Sequence, residues 1–121
     1  MRCVIVDDSA GFRRAATRLL GNGGIEVVGA VSDGQQALRL CDELRPDVAL
    51  VDVALGAESG FEVAERLQRA AHRPVVILTS TYPEQDLAEA IAASPAVGFV
   101  PKSALSVAAI RELTVNALPN R

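Results

Sequence analysis

Five residues carry side chains that could work together chemically: Asp7, Asp8, Asp52, Thr79 and Lys102. Each stands at or just beyond the end of a short apolar run: Val4-Ile5-Val6, Val48-Ala49-Leu50-Val51, Val75-Val76-Ile77-Leu78 or Phe99-Val100-Pro101. A carboxylate at the end of a buried strand is costly unless something there uses its charge. Two carboxylates about 4 Å apart repel by about 4 kcal/mol at an effective dielectric near 20, so a convergence of three calls for a proton or a cation. Carboxylate oxygens with a backbone carbonyl and water suit Mg2+, which takes an octahedral oxygen shell. A lysine and a hydroxyl opposite them suit the oxygens of a phosphoryl group. The set points to phosphoryl chemistry with a carboxylate acceptor, a divalent metal, a cation and a hydroxyl donor.

For these side chains to meet, the strand ends must lie along one edge. Arg2 to Val6 reads as a first strand, rich in β-branched residues. Ser9 can cap a helix with Phe12, Ala15, Ala16, Leu19 and Leu20 on its apolar side, stopped by the GNGG at 21–24. Ile25 to Val31 is a second strand, and a helix from Gln35 to Leu44 ends at Arg45-Pro46. The third strand, Asp47 to Asp52, leads into a loop with small residues at Ala54, Gly56, Ala57 and Gly60. A helix over 59–70, a strand over 75–79, and a helix over 84–93 with a weak apolar face (Leu87 and Ile91) follow. The fifth strand spans 96–100, and a last helix from Ser106 carries Val107, Ile110, Leu113 and Ala117 before ending near Pro119.

Continuous apolar strands between amphipathic helices predict an α/β fold, an open, doubly wound parallel sheet of five strands. A closed eight-stranded barrel needs about 250 residues and is excluded by length. With strand order 2-1-3-4-5, the first and third strands are neighbours, and ligands bind beyond their carboxyl ends.

The composition fits one domain over residues 1–121, half hydrophobic, with a formal charge of −3. No basic footprint supports direct nucleic-acid binding by this chain, and no apolar run supports a membrane span. Met1-Arg2-Cys3 enters the first strand directly, unlike a secretory or transit segment, so a cytoplasmic location is expected. Cys3 and Cys41 lie at no metal-ligand spacing and read as buried, reduced thiols. His72, the only histidine, reads as a solvated loop residue, so a phosphoryl donor must come from another protein.

The motifs VIVDDS, LVDVALGAESG with its glycine eight residues after Asp52, VVILTS and GFVPKSAL occur in this order, each at a strand's carboxyl end. In this respect the chain resembles the receiver domains of two-component response regulators over essentially its whole length. Around EVVGAVSDGQQAL and GFVPKS it is most similar to NarL/FixJ-type receivers, which carry a C-terminal helix-turn-helix output domain. The resemblance implies a flavodoxin-like (CheY-like) three-layer αβα fold. It also implies that Asp52 accepts phosphate from a sensor histidine kinase. Asp8 would bind Mg2+ directly and Asp7 largely through water, with Asp52 and the Ala54 carbonyl completing the protein ligands. Lys102 would contact the phosphoryl oxygen, Thr79 would hydrogen-bond it, and Phe99 would be the switch aromatic. A homodimer through the last helices and an output in transcription regulation are further implications. The chain would be no enzyme beyond self-catalysed phosphoryl acceptance and autodephosphorylation.

Four residues depart from the common pattern. Ser103 follows Lys102 where many members have proline, Leu55-Gly56 replaces a frequent Met-Pro pair and implies a more mobile loop, and Ser80 stands where alanine is commonest. The alternative is a pseudo-receiver, an interaction module that takes no phosphate. A haloacid-dehalogenase-type phosphatase needs a second acid two residues after its nucleophile, and here Val53-Ala54 follows Asp52. A flavin mononucleotide carrier would meet repulsion from Asp7-Asp8 at its phosphate loop.

Overall fold

The computed structural model describes residues 1–118. Five parallel strands, β1 (Arg2–Val6), β2 (Glu26–Val31), β3 (Val48–Asp52), β4 (Val75–Ser80) and β5 (Gly98–Pro101), form one sheet in the order 2-1-3-4-5. The helices between and after them are α1 (Ala10–Asn22), α2 (Gly34–Leu44), α3 (Gly60–Gln68), α4 (Glu84–Ala93) and α5 (Val107–Thr114). This is the doubly wound, flavodoxin-like architecture that the sequence predicts.

The alternation of side chains along each strand builds two cores. Val4 and Val6, Ala49 and Val51, and Val76 and Leu78 point to one face, where α2, α3 and α4 supply Cys41, Val63, Leu67, Leu87 and Ile91. Cys3 and Ile5, Val48 and Leu50, and Ile77 point to the other, where α1 and α5 supply Ala16, Leu20 and Ile110. Both faces of β1, β3 and β4 are covered, which is why those strands are continuously apolar. Ala15 and Leu19, expected on the buried side of α1, are exposed.

Local chemistry sets the helix starts. Ser9, Asp33, Ser59 and Ser106 each accept a backbone N–H in the first turn of the helix they precede. Only α4 lacks such a side-chain cap, and Glu84 and Asp86 instead complement its dipole. It commits no fully buried residue to the core.

α1 stops at Asn22, within the GNGG run as expected, and Gly24 just beyond it adopts a positive φ of 91°. Three local expectations are corrected. β5 starts at Gly98 rather than Ala96, although Val97 N–H already donates to Val76 O at 2.9 Å. α5 ends at Thr114, whose hydroxyl donates to the Ile110 carbonyl at 2.9 Å; the stop near Pro119 lies outside the described residues. His72 is half-buried, its Nε2 2.6 Å from the Pro46 carbonyl, and so ties the loop before β4 to the start of β3.

Candidate functional site

The carboxyl ends of β1, β3, β4 and β5 lie side by side, and the five residues singled out above sit there. Asp7 is fully buried just past β1. Its Oδ1 accepts the Ser9 N–H at 2.8 Å, and its carbonyl accepts Arg13 Nη1 at 2.7 Å. Asp8 beside it is exposed. Asp52, 5% exposed at the end of β3, accepts the Ala54 N–H on Oδ1 at 3.1 Å. One oxygen from each of Asp7, Asp8 and Asp52 lies within 4.8 Å of the others.

Lys102 joins this cluster from the end of β5. Its Nζ is 2.7 Å from Asp7 Oδ2 and 3.0 Å from Asp52 Oδ2. The ammonium also lies over the Phe12 ring, 4.5 Å from its centroid. Burial alone would lower the lysine pKa, but hydrogen bonds and charge from Asp7 and Asp52 outweigh it, and the net direction is upward. Lys102 is held as a cation. Burial pushes the Asp52 pKa the same way, above the ordinary 3.8, and the opposing pulls of the Ala54 N–H and Lys102 do not cancel it.

Thr79 pairs with Asp52 in the register of β3 and β4 and is fully buried. Its Oγ1 has no hydrogen-bond partner among the described residues. An orphaned buried hydroxyl costs about 1–3 kcal/mol, a cost that a ligand oxygen would offset. The neighbouring Ser80 is engaged, its Oγ accepting the Tyr82 N–H at 2.9 Å. Phe99 stands apart from the carboxylates, 9% exposed, in the core against which Leu87 and Ile91 of α4 pack.

The segment after Asp52 is built to hold it. A Cβ on Gly60 would lie 1.9 Å from the Asp52 carbonyl oxygen, so only glycine lets α3 start this close to β3. Gly60 N–H donates to Val53 O at 2.8 Å. Between them, Ala54-Leu55 pairs antiparallel with Glu58-Ser59 around Gly56, whose φ is 67°. The loop in which Leu55-Gly56 replaces the frequent Met-Pro pair is thus a short hairpin with Leu55 buried.

Two contributors were not visible as site residues in the sequence. Phe12 reads there only as part of an apolar helix face, and Arg13 is not singled out at all. The signal available for both is position: they lie one turn into the helix that Asp7 and Ser9 start.

The donors fit a hard divalent cation, being carboxylate oxygens only, with exposed Asp8 leaving room for coordinated water. A family model for the response regulator receiver domain matches residues 3–113. The chain belongs to the response regulator receiver family.

A solved structure agrees in fold, and two further relatives agree in sequence. The receiver domain of the response regulator NarL from Mycobacterium tuberculosis superposes with a TM-score of 0.82 at 30% identity, covering 99% of this chain and 97% of that one. A protein-glutamate methylesterase/protein-glutamine glutaminase from Myxococcus xanthus is 37% identical over 93% of this chain, which matches 33% of that protein. The transcriptional regulatory protein PdtaR of M. tuberculosis is 28% identical over 93% of this chain and 60% of its own length. Several curated relatives are longer, the chain spanning 24%, 22% and 60% of three of them. Among the described residues, no helix is long and apolar enough to cross a membrane.

Proposed function

We propose that Asp52 is the phosphoryl acceptor of this receiver, taking the group from a phosphohistidine of a sensor histidine kinase. The observation that carries the reading is Lys102 bridging Asp7 and Asp52, next to a buried Thr79 hydroxyl without a partner. A carboxylate oxygen of Asp52 attacks phosphorus; the O–P bond forms as the N–P bond breaks, and the electron pair returns to the imidazole, which takes up a proton. Asp7, Asp8, Asp52 and the Ala54 carbonyl would hold Mg2+, which when bound offsets charge on the phosphoryl oxygens. Lys102 exchanges its contact with Asp52 for one with a phosphoryl oxygen, since forming the acyl phosphate removes the carboxylate charge it pairs with. The Thr79 hydroxyl donates to another.

The switch follows from the way Thr79 is anchored. Drawing its hydroxyl toward the phosphoryl group moves the end of β4, and Phe99 and the lightly anchored α4 respond, altering a face formed by α4, β5 and α5. That face carries partner binding or homodimerisation. The output is transcription control through a separate C-terminal DNA-binding domain; the name of the transcriptional regulatory protein PdtaR supports the transcriptional part of this reading. The protein works in the cytoplasm and turns over no substrate beyond its own phosphoryl group.

The test is intact mass after incubation with Mg2+ and acetyl phosphate. Wild type should gain one phosphoryl group, Asp52→Asn none, and Lys102→Ala much less in the same time. No adduct on wild type, under conditions that label a known receiver, overturns the reading.

A further inference from the structure

Lys102 is held from three sides, and only two are carboxylates. Asp7 Oδ2 and Asp52 Oδ2 lie at 2.7 and 3.0 Å from Nζ, and the third side is the ring of Phe12, its centroid 4.5 Å away. The lysine side chain is 15% exposed, so the ammonium is largely desolvated, the condition under which attraction to an aromatic face is strongest. Lysine reaches a site on a flexible four-carbon stem and, unlike arginine, brings no planar geometry to fix its direction. Something other than its own shape must keep it there.

The ring is itself held by the acid loop. Asp7 Oδ1 accepts the Ser9 N–H at 2.8 Å, and Ser9 Oγ in turn accepts the Phe12 N–H at 3.2 Å. Phe12 is half-buried and packs on the core shared by α1 and α5. The hydrogen bonds that start α1 therefore also set where the ring stands relative to the carboxylates.

We propose that Phe12 is a positioning residue for phosphoryl transfer, its ring face keeping the Lys102 ammonium in place while Asp52 changes from carboxylate to acyl phosphate. The inference rests on the phosphoryl-acceptor reading above. During that step Lys102 passes from an Asp52 oxygen to a phosphoryl oxygen, and while it changes partners only Asp7 and the ring keep the ammonium from swinging on its stem. The ring adds an uncharged restraint that the reaction does not alter.

The test replaces Phe12 in the full chain with 4-fluoro-, 3,5-difluoro- and 3,4,5-trifluorophenylalanine, which nearly preserve ring volume while draining the charge from its face. The rate of phosphorylation by acetyl phosphate with Mg2+ should fall stepwise, by about three- to tenfold for the trifluoro ring. Phe12→Leu should fall at least as far, and Phe12→Tyr should stay near wild type. In the unphosphorylated protein, the Lys102 Cε protons should be shifted upfield by the ring and lose that shift in Phe12→Leu. Equal rates across the fluorinated series would reduce Phe12 to packing and overturn the proposal, as would Lys102 protons indifferent to loss of the ring. If wild type takes no phosphoryl group, the phosphoryl role falls with the reading it rests on. The upfield shift would then still decide whether Phe12 holds Lys102.

Discussion

Asp52 keeps a carboxylate where burial disfavours one. Desolvation raises its pKa above 3.8; the Ala54 N–H and Lys102 work against the rise, and Asp7 adds to it. A folded-state pKa above the unfolded value means that ionising Asp52 favours unfolding, so its contribution to stability is greatest below pH 3.8 and is lost as pH rises through the folded value. Asp52→Asn should therefore melt above wild type at neutral pH without metal. The gap should close as pH falls toward 4, a trend that calorimetry across pH would follow. A wild type that gains on the variant with rising pH would contradict this account of the charge. The two cysteines behave differently because nothing uses them. Burial pushes Cys3 up to about 12 and Cys41 up to about 11, so neither is a thiolate at neutral pH. Native protein should leave a chromogenic disulfide reagent unreacted at pH 8, while the unfolded chain should release two equivalents, matching its two cysteines.

Among the elements, the hairpin between β3 and α3 is where packing dictates most and sequence pattern tells least. Gly60 stands against the Asp52 carbonyl at a distance no Cβ tolerates, and the obstacle is backbone, which cannot turn aside. Gly60→Ala should cost about 2–3 kcal/mol in urea unfolding and slow phosphorylation, because Asp52 must shift to make room. Glu58 does a second job from the same hairpin. Its Oε1 accepts the Gly34 N–H at 2.8 Å at the start of α2, and its Oε2 meets Arg66 at 3.1 Å. Glu58→Ala should cost about 1–2 kcal/mol by orphaning the Gly34 N–H. Glu58→Gln keeps an acceptor and loses only the ion pair, so it should cost less than about 1 kcal/mol. Strands β1, β3 and β4 were legible because burial on both faces leaves an uninterrupted apolar run, and α4 because Pro83 and Ser94-Pro95 bracket it. The hairpin was not, since its two-residue strands are set by Gly60 and by a hydrogen bond to a residue 24 positions away. The start of β5 was misplaced for a related reason: Ala96 reads as strand, yet its N–H goes to Ser94 Oγ at 3.3 Å.

At the scale of the whole molecule, the site follows from topology. Strand order reverses between β2-β1 and β3-β4-β5, and this brings the ends of β1 and β3 together although 45 residues separate Asp7 from Asp52. Alternation puts apolar side chains on both faces of the sheet and leaves the strand ends to the polar ones, so the core and the site do not compete for positions. The five site residues were legible for that reason; Phe12 was not, because its role depends on a tertiary contact with Lys102, which reaches its ring from just beyond β5. The same geometry couples a bound ion to folding. The unfolded chain scatters Asp7, Asp8 and Asp52, so a cation that needs all three binds only the native state and raises its stability by about 1.4 kcal/mol at ten times its Kd. That corresponds to a rise in Tm of about 3–7 °C for a domain of this size. Mg2+ should produce such a rise in wild type, little of it in Asp8→Asn, and none in an Asp7→Asn/Asp8→Asn pair. An equal rise in the double variant would mean that the ion acts elsewhere on the surface. Because Asp8 is exposed and meets no lysine, its replacement should leave the metal-free Tm nearly unchanged, separating loss of the ion from loss of the fold.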